Sequence, residues 1–250
     1  MKRGFTLIEL MIVIAIIAII AAIAIPGLLA AQRASNERNA SASLKTLSTA
    51  QADFRSNDRD GNRVADFWTL DIFALYGLIP MTGGSTALPP DTASAANIIK
   101  LIEPSLAGAD GDSDHAEYGN INFADSIITG SPKAGYVYRK FESQDEGAGA
   151  VALENDTDGS AFYGPCHDRN RFAFVAAPET LSAGKLLFIV NADNTIYKYN
   201  LPASYVMTFT AISGTSDGDS EMTGTGQPGF FDDAVVFPAS PGSVGCSKLD

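Results

Sequence analysis

An uncharged, almost wholly apolar run extends from Leu10 to Ala31 and limits the folds open to the rest of the chain. As a helix rising about 1.5 Å per residue, the run is about 33 Å long, which is enough to cross the hydrocarbon core of a bilayer. Lys2 and Arg3 precede it, and positive charge at that end of a membrane helix fixes it in the cytoplasm. The residues after the run are therefore expected outside the cytoplasm.

Two simpler explanations of the run leave one residue unexplained. A secretory signal peptide also has a basic start and an apolar middle, with Ala22-Ile23-Ala24 as its cleavage site, but its apolar core is usually only about 7–15 residues long. A plain membrane anchor fits the length. Neither explanation accounts for Glu9, because a carboxylate in an inserting helix costs up to about 3 kcal/mol and is usually there for a partner.

The residues around Glu9 form a specific motif. Gly4-Phe5-Thr6-Leu7-Ile8-Glu9-Leu10-Met11 follows the two leader cations directly, and Pro26 lies farther along the same helix. Over about residues 1–55, the chain resembles the type IV prepilins and the pseudoprepilins of type II secretion systems. The head that follows is not covered by this resemblance.

The resemblance implies a processing step and an assembly step. In this family a membrane prepilin peptidase cuts after the glycine, here between Gly4 and Phe5, so residues 1–4 are the leader. The peptidase then methylates the new amino terminus. Cutting leaves an ammonium on Phe5 near the hydrophobic boundary, where Glu9 is the nearest anion. We expect the Phe5 ammonium of one chain to pair with Glu9 of its neighbour, which sets the register of stacked helices.

Pro26 is predicted to weaken the helix locally. It has no N–H to donate to Ala22, its ring crowds that carbonyl, and Gly27 beside it lowers helix stability further. We expect a kink or local melting rather than the end of the helix, because good helix sequence continues from Ala30 to Phe54. In a filament this weak point would let subunits extend and pack.

The chain is predicted to have a long helix and a separate head. The helix runs from Phe5 to Asn57, with residues 5–30 in the membrane or filament core and residues 31–57 amphipathic. The polar sequence from Asn57 to Asn62 signals a turn that ends the helix. Residues 58–250 then form an extracytoplasmic globular head.

The amphipathic half is predicted to pack on the head through one apolar face. Leu44, Leu47 and Phe54 share that face. The charged side chains predicted to face outward are Arg33, Glu37 and Arg38.

The predicted fold class is α+β, a long N-terminal helix packed on a C-terminal antiparallel β-sheet head. Asn191-Ala192-Asp193-Asn194 suits a hairpin turn and is predicted to join the strands Lys185–Val190 and Thr195–Asn200. The strands predicted for the sheet are Gly135–Phe141, Arg171–Ala176, Lys185–Val190 and Thr195–Asn200, with an edge strand at Phe230–Pro238. Short helices are predicted at Asp66–Leu78, which includes Trp68, and at Ala95–Ile102, and a surface loop at Ser213–Gly229.

Three acidic runs alternate oxygen side chains as calcium loops do. None has the closing Glu of an EF-hand, so we expect solvated turns, with weak calcium binding as the alternative, since some pseudopilins bind calcium. No other cofactor is expected. The first run is Asp58, Asp60 and Asn62, the second Asp110, Asp112 and Asp114, and the third Asp217, Asp219 and Glu221.

Cys166 and Cys246 are the two cysteines of the chain. Cys166 precedes His167, but adjacent residues in a strand point to opposite faces, so they cannot act as a nucleophile and its base. A disulfide between Cys166 and Cys246 is favoured because the head lies in an oxidising compartment. We find no catalytic set and expect no enzyme.

The predicted function is a structural subunit of a type IV pilus-like filament. The resemblance implies as partners other copies of the chain, the prepilin peptidase and an inner-membrane assembly platform. It also implies a single-pass location in the inner membrane before assembly, and then an extracellular pilus or a periplasmic pseudopilus. The alternatives are a pseudopilin of a type II secretion system and a membrane-anchored exported binding module. The net charge of −12 argues against nucleic acid as a partner.

Overall fold

The computed structural model contains one long helix followed by short helices and mostly antiparallel strands, which confirms the predicted α+β class. It describes residues 5–59, 64–69, 72–77, 99–110, 131–141, 143–145, 150–152, 167–168, 170–209, 222–225, 236–238 and 241–249. Helix α1 is Leu7–Asn57 and α2 is Pro104–Ala107, with 3₁₀ turns at Phe73–Tyr76 and Pro241–Val244. The strands are β1 Phe67–Trp68, β2 Tyr136–Lys140, β3 Ser143–Asp145, β4 Ala150–Ala152, β5 His167–Asp168, β6 Ala173–Pro178, β7 Leu186–Asn191, β8 Ile196–Asn200, β9 Val206–Phe209, β10 Met222–Thr225, β11 Val236–Phe237 and β12 Ser247–Lys248.

Helix α1 begins and ends close to where the sequence predicts. Thr6 precedes its first residue in an extended conformation, and Asp58 follows its last with φ 47° and ψ 59°. In this left-handed conformation the N–H of Asp58 donates to the carbonyl of Phe54, which closes the last turn. Arg59 then donates from Nε to Asp53 Oδ2 at 2.8 Å and ties the departing chain to the helix.

The helix continues through Pro26. Local melting, one of the two outcomes predicted here, is therefore absent from the single chain. The proline still removes one hydrogen bond from this turn. At Gly27 no described group outside the helix backbone lies within 4 Å of where a side chain would begin, so none of the described residues of the head contacts the helix there.

The largest sheet has five strands in the order β12-β8-β7-β6-β2, and all of its pairs are antiparallel. It contains the four strands predicted for the sheet, although β6 begins later than predicted, at Ala173. The predicted hairpin joins β7 to β8. Asn194 N–H donates to Asn191 O at 2.9 Å, and Asn194 has φ 57°, a left-handed conformation that asparagine tolerates better than most residues.

The helix predicted at 66–78 is wrong for most of its described residues. Phe67–Trp68 forms β1, paired with β5, and only Phe73–Tyr76 is helical. A tertiary contact explains the difference. Gln51 of α1 accepts the Trp68 N–H on Oε1 at 2.9 Å and donates from Nε2 to the Trp68 carbonyl at 2.6 Å. Within a helix those two backbone groups would bond to other turns of the helix, so these bonds favour an extended chain.

Predictions for the remaining segments have mixed outcomes. Residues 99–102, the described end of the helix predicted at 95–102, are not helical. Met222–Thr225 lies inside the predicted surface loop but is strand β10, paired with β9, so that prediction is wrong for these residues. The edge strand predicted at 230–238 is confirmed in part: Val236–Phe237 is an edge strand, but it pairs in parallel with β3 in a separate three-stranded sheet.

The second half of α1 packs on one face of the five-stranded sheet, mainly against β6 and β7, as predicted. The apolar face is fully buried, since Leu44 and Leu47 are 0% exposed and Phe54 is 1% exposed. The ring of Phe54 meets that of Trp68 edge to face, with the centroids 6.0 Å apart. Burial of such a side chain contributes about 1.5–3 kcal/mol, so this half of the helix is part of the head's core.

The prediction that Arg33 and Glu37 face outward is wrong, whereas Arg38 is exposed as predicted. Arg33 Nε donates to Ser182 O at 3.3 Å, and Glu37 Oε1 accepts the N–H of Lys185 at 2.9 Å. The apolar periodicity marks only the side of the helix that meets the sheet. The turn after β6 extends beyond the sheet and contacts the polar side chains of Arg33 and Glu37.

Replacing Gln51 tests its contact with Trp68. Gln51 is 0% exposed, and Gln51→Met keeps the side-chain length while removing both hydrogen bonds to the Trp68 backbone. Because losing a partner of a buried polar group costs about 1–3 kcal/mol, we expect the free energy of unfolding to fall by about 2–4 kcal/mol. Urea denaturation of the detergent-solubilised full chain, followed by the fluorescence of its single tryptophan, measures this.

The matched control is Ala52→Met, at the exposed neighbouring position. We expect it to change the free energy of unfolding by less than about 0.5 kcal/mol. Equal losses in the two variants would show that the hydrogen bonds of Gln51 do not stabilise β1.

Candidate functional site: the N-terminal helix

The first part of α1 exposes nearly all of its apolar side chains. Phe5 is 77% exposed, Leu7 76% and Ile23 77%. The helix is long and apolar enough to span a membrane, and it lies near the N-terminus, where a signal sequence would meet the same criteria. Because a contiguous apolar surface of this size is rare in water-exposed proteins, this segment requires a lipid or protein environment.

Glu9 is bound within its own helix by a capping box. Thr6 Oγ1 accepts the Glu9 N–H at 3.4 Å, and Glu9 Oε2 accepts the Thr6 N–H at 2.9 Å and the Thr6 hydroxyl at 2.6 Å. These bonds satisfy first-turn donors that have no partner within a helix. Thr6 was not among the predicted site residues, although the spacing Thr-x-x-Glu is the sequence signal for such a box.

The predicted assembly residues lie along this exposed segment. Phe5 precedes the helix, Glu9 is in its first turn and Pro26 is near the end of the apolar run, whereas Gly4 lies outside the described residues. The predicted ion pair joins two different chains and stays a prediction. Both hydrogen bonds that the Glu9 carboxylate accepts from Thr6 are to Oε2. Because Glu9 is also exposed, its carboxylate is accessible to a cation from another chain.

The described residues of the acidic runs have structural roles. Asp58 is the left-handed cap of α1. Asp110 is 1% exposed, and its Oδ2 accepts the N–H groups of Ile72 and Phe73 at 2.9 and 2.8 Å. The expectation of a solvated turn is therefore wrong for Asp110, because its carboxylate holds the start of a 3₁₀ turn.

Weak calcium binding at the acidic runs stays a prediction. In the part of the chain that the structure describes, no three His, Cys, Asp or Glu side chains are grouped so that they could hold a metal ion. The members that lie outside the described residues are Asp60, Asn62, Asp112, Asp114, Asp217, Asp219 and Glu221.

Cys246 is buried in an apolar cluster on the sheet face opposite the helix. Burial raises the pKa of its thiol to about 11. Cys166 lies outside the described residues, so the Cys166–Cys246 disulfide stays a prediction.

We predict that exported protein contains this disulfide. Alkylation in denaturant should leave both cysteines unlabelled before reduction and label both after it. Denaturant is needed because the raised pKa of the Cys246 thiol would keep a free thiol protonated and unreactive in the folded chain at neutral pH. Labelling of both cysteines without reductant would contradict the prediction.

Comparisons with known proteins concern the same segment. Residues 1–25 match the family model for the prokaryotic N-terminal methylation motif. A stretch of 66 residues is 54% identical to the type IV major pilin protein PilA of Myxococcus xanthus (strain DK1622), and it spans 26% of this chain and 29% of that relative. No solved structure matches the chain. The chain therefore carries the prokaryotic N-terminal methylation motif, and its N-terminal part is similar in sequence to a type IV major pilin.

Proposed function

We propose that the chain is a structural subunit of a type IV pilus-like filament, assembled through the first part of α1. The observation that carries the proposal is the methylation motif at the start of a helix whose apolar side chains are exposed from Leu7 to Leu29. Stacking of this surface against other copies removes it from water. Before assembly the inner membrane covers the same residues.

The charges at the start of the helix give the stack its register. Cleavage between Gly4 and Phe5 creates an ammonium on Phe5, and Glu9 of a neighbouring chain neutralises it. Two unit charges about 4 Å apart attract by about 4 kcal/mol at an effective dielectric constant of about 20. An axial offset that separated them would leave both charges in a poorly hydrated bundle at a cost of several kcal/mol. One offset is therefore strongly preferred.

A pseudopilin of a type II secretion system is the second candidate, because the methylation motif is expected in both kinds of subunit. The likeness of the N-terminal part of the chain to a major pilin favours the pilus. In both cases the partners are the prepilin peptidase and an inner-membrane assembly platform. Electron microscopy of material sheared from the cell surface separates the two, since only a pilus yields surface filaments containing this chain.

The mature chain is predicted to begin at an N-methylated Phe5. Loss of Lys2 and Arg3 changes the side-chain charge from 17 − 29 = −12 to 15 − 29 = −14. Intact-mass measurement of purified protein tests the start and the methyl group together. A mature chain that begins at Ile25 would instead identify a secretory signal peptide.

Glu9→Val is predicted to block filament assembly without blocking membrane insertion or cleavage. Insertion improves, because the inserting helix loses its charged group. Assembly fails, because the incoming Phe5 ammonium meets no anion in the bundle. The variant is expressed in a strain lacking the native copy, and its amounts in the membrane and sheared-filament fractions are compared with those of the native chain. Normal filament yield would contradict the proposal and favour a membrane-anchored binding module.

Glu9→Gln separates the charge from the capping box. Glutamine can accept the Thr6 N–H as Glu9 does, so the cap is kept while the charge is lost. We expect Glu9→Gln to fail in assembly as Glu9→Val does. Normal filaments from Glu9→Gln alone would show that the cap, and not the ion pair, is what assembly requires.

A further inference from the structure

A groove of about 650 Å³ lies between α1 and the segment 99–101 of the head. Apolar surface makes up most of its lining, and Ile99 and Leu101 contribute to it. Thr49 lies in the same lining and is exposed, so the groove is open to a partner. We call the space between residues 42–53 of α1 and residues 99–101 the helix groove.

Both walls of the helix groove are fixed to the head. The α1 wall is anchored by the buried apolar stripe of the helix. On the other wall, the N–H of Leu101 donates to the carbonyl of Leu75 at 2.9 Å. Lys100 Nζ donates to Tyr76 Oη at 3.1 Å and lies 4.7 Å from the centre of the Tyr76 ring. Because these contacts form the groove within a single chain, a partner that binds there has little to order.

Two of the three cations in the groove have only neutral hydrogen-bond partners. Arg59 is paired with Asp53, since its Nε donates to Oδ2 at 2.8 Å and its Nη2 donates to Oδ1 at 3.1 Å. Lys45 Nζ donates to the amide oxygen of Asn194 at 2.8 Å, and the hydrogen bond of Lys100 is to the tyrosine hydroxyl. Within the described part of the chain, the groove therefore carries two positive charges that no carboxylate neutralises.

The charge of the whole chain indicates what this groove attracts. Without Lys2 and Arg3 the side-chain charge is 15 − 29 = −14, and most of the carboxylates follow residue 57. The head of one copy is therefore an acidic surface for the cationic groove of another, and complementary charges of this kind favour and orient an encounter. Two cations are too few for a nucleic acid, whose binding needs many phosphate contacts.

Building on the proposed function, we propose that the helix groove binds the acidic surface of a second copy's head in the filament. Carboxylates of the neighbour pair with Lys45 and Lys100, while apolar atoms of the same segment cover Ile99 and Leu101. This contact lies about 54 Å along α1 from Glu9, at about 1.5 Å per residue. The ion pair at Glu9 fixes the axial offset between copies, and the groove contact fixes the rotation of each head about its helix.

Photocrosslinking in sheared filaments tests this contact. The photoreactive residue p-benzoylphenylalanine replaces Thr49 in three backgrounds: the native chain, the groove variant and a control. The groove variant is Lys45→Gln/Lys100→Gln. The control is Lys185→Gln/Lys248→Gln, which removes the same two charges from exposed lysines outside the groove.

In native filaments we expect covalent dimers in which residue 49 is joined to a segment of another copy that contains Asp or Glu. Since each exposed ion pair contributes modestly, the groove variant should lower the dimer yield by about fivefold or more, and the control should stay within about twofold of native. Loss of filaments in the groove variant alone would also support the contact. The fluorescence of the single tryptophan checks that both variants are folded, and Lys100→Gln alone replaces a double variant that is not.

Equal dimer yields from the groove variant and the control would overturn the proposal. Crosslinks from residue 49 only within its own chain, to a different protein, or to a segment without Asp or Glu would overturn it as well. Electron microscopy of the native sheared fraction separates this proposal from the proposed function. If the native chain forms no filaments, the proposed function fails, and the same crosslinking in the membrane fraction decides the groove contact. Dimers there that require Lys45 and Lys100 support it, and their absence rules it out.

Discussion

Helix α1 has two apolar surfaces that require two different partners, and the rest of the structure depends on this division. The stripe that contains Leu44, Leu47 and Phe54 is buried by the head of the same chain. The apolar side chains from Leu7 to Leu29 are exposed and need lipid or other copies. A single helix therefore carries both the core of a folded domain and, in the proposed function, the surface through which that domain is anchored and assembled.

Much of the fold follows from local sequence patterns. The end of the helix is set by residues within one turn of Asn57, and the four predicted strands of the five-stranded sheet are short β-rich runs bounded by polar turns. The hairpin between β7 and β8 was predictable because asparagine at position 194 tolerates the left-handed conformation. In the candidate site, Glu9 could be identified because a charge in an apolar helix is conspicuous, and its Thr6 partner follows from a known spacing.

The errors arise where distant residues decide the local conformation. Trp68 is extended because Gln51 of α1 bonds both of its backbone groups, which no pattern around Trp68 contains. The sequence around Asp110 is typical of a loop, yet Asp110 is buried, because its carboxylate accepts the N–H of Phe73 at the start of a 3₁₀ turn. The orientation of Glu37 depends on a turn 148 positions later in the chain. In each case a polar side chain satisfies backbone groups that became its neighbours only when the whole head had folded.

The long separations between α1 and the turns that hold it have a consequence for export. Asn36 and Ala183 are 147 positions apart, and Lys45 reaches Asn194 across 149. Contacts of this kind form late, because a long loop must close before they stabilise anything. In the proposed function the head crosses the membrane, and the Leu44–Phe54 stripe then lacks its sheet until the strands up to Asn200 have also crossed. In that interval the chain is most vulnerable to proteases and to aggregation, so chaperones that protect it would act before assembly.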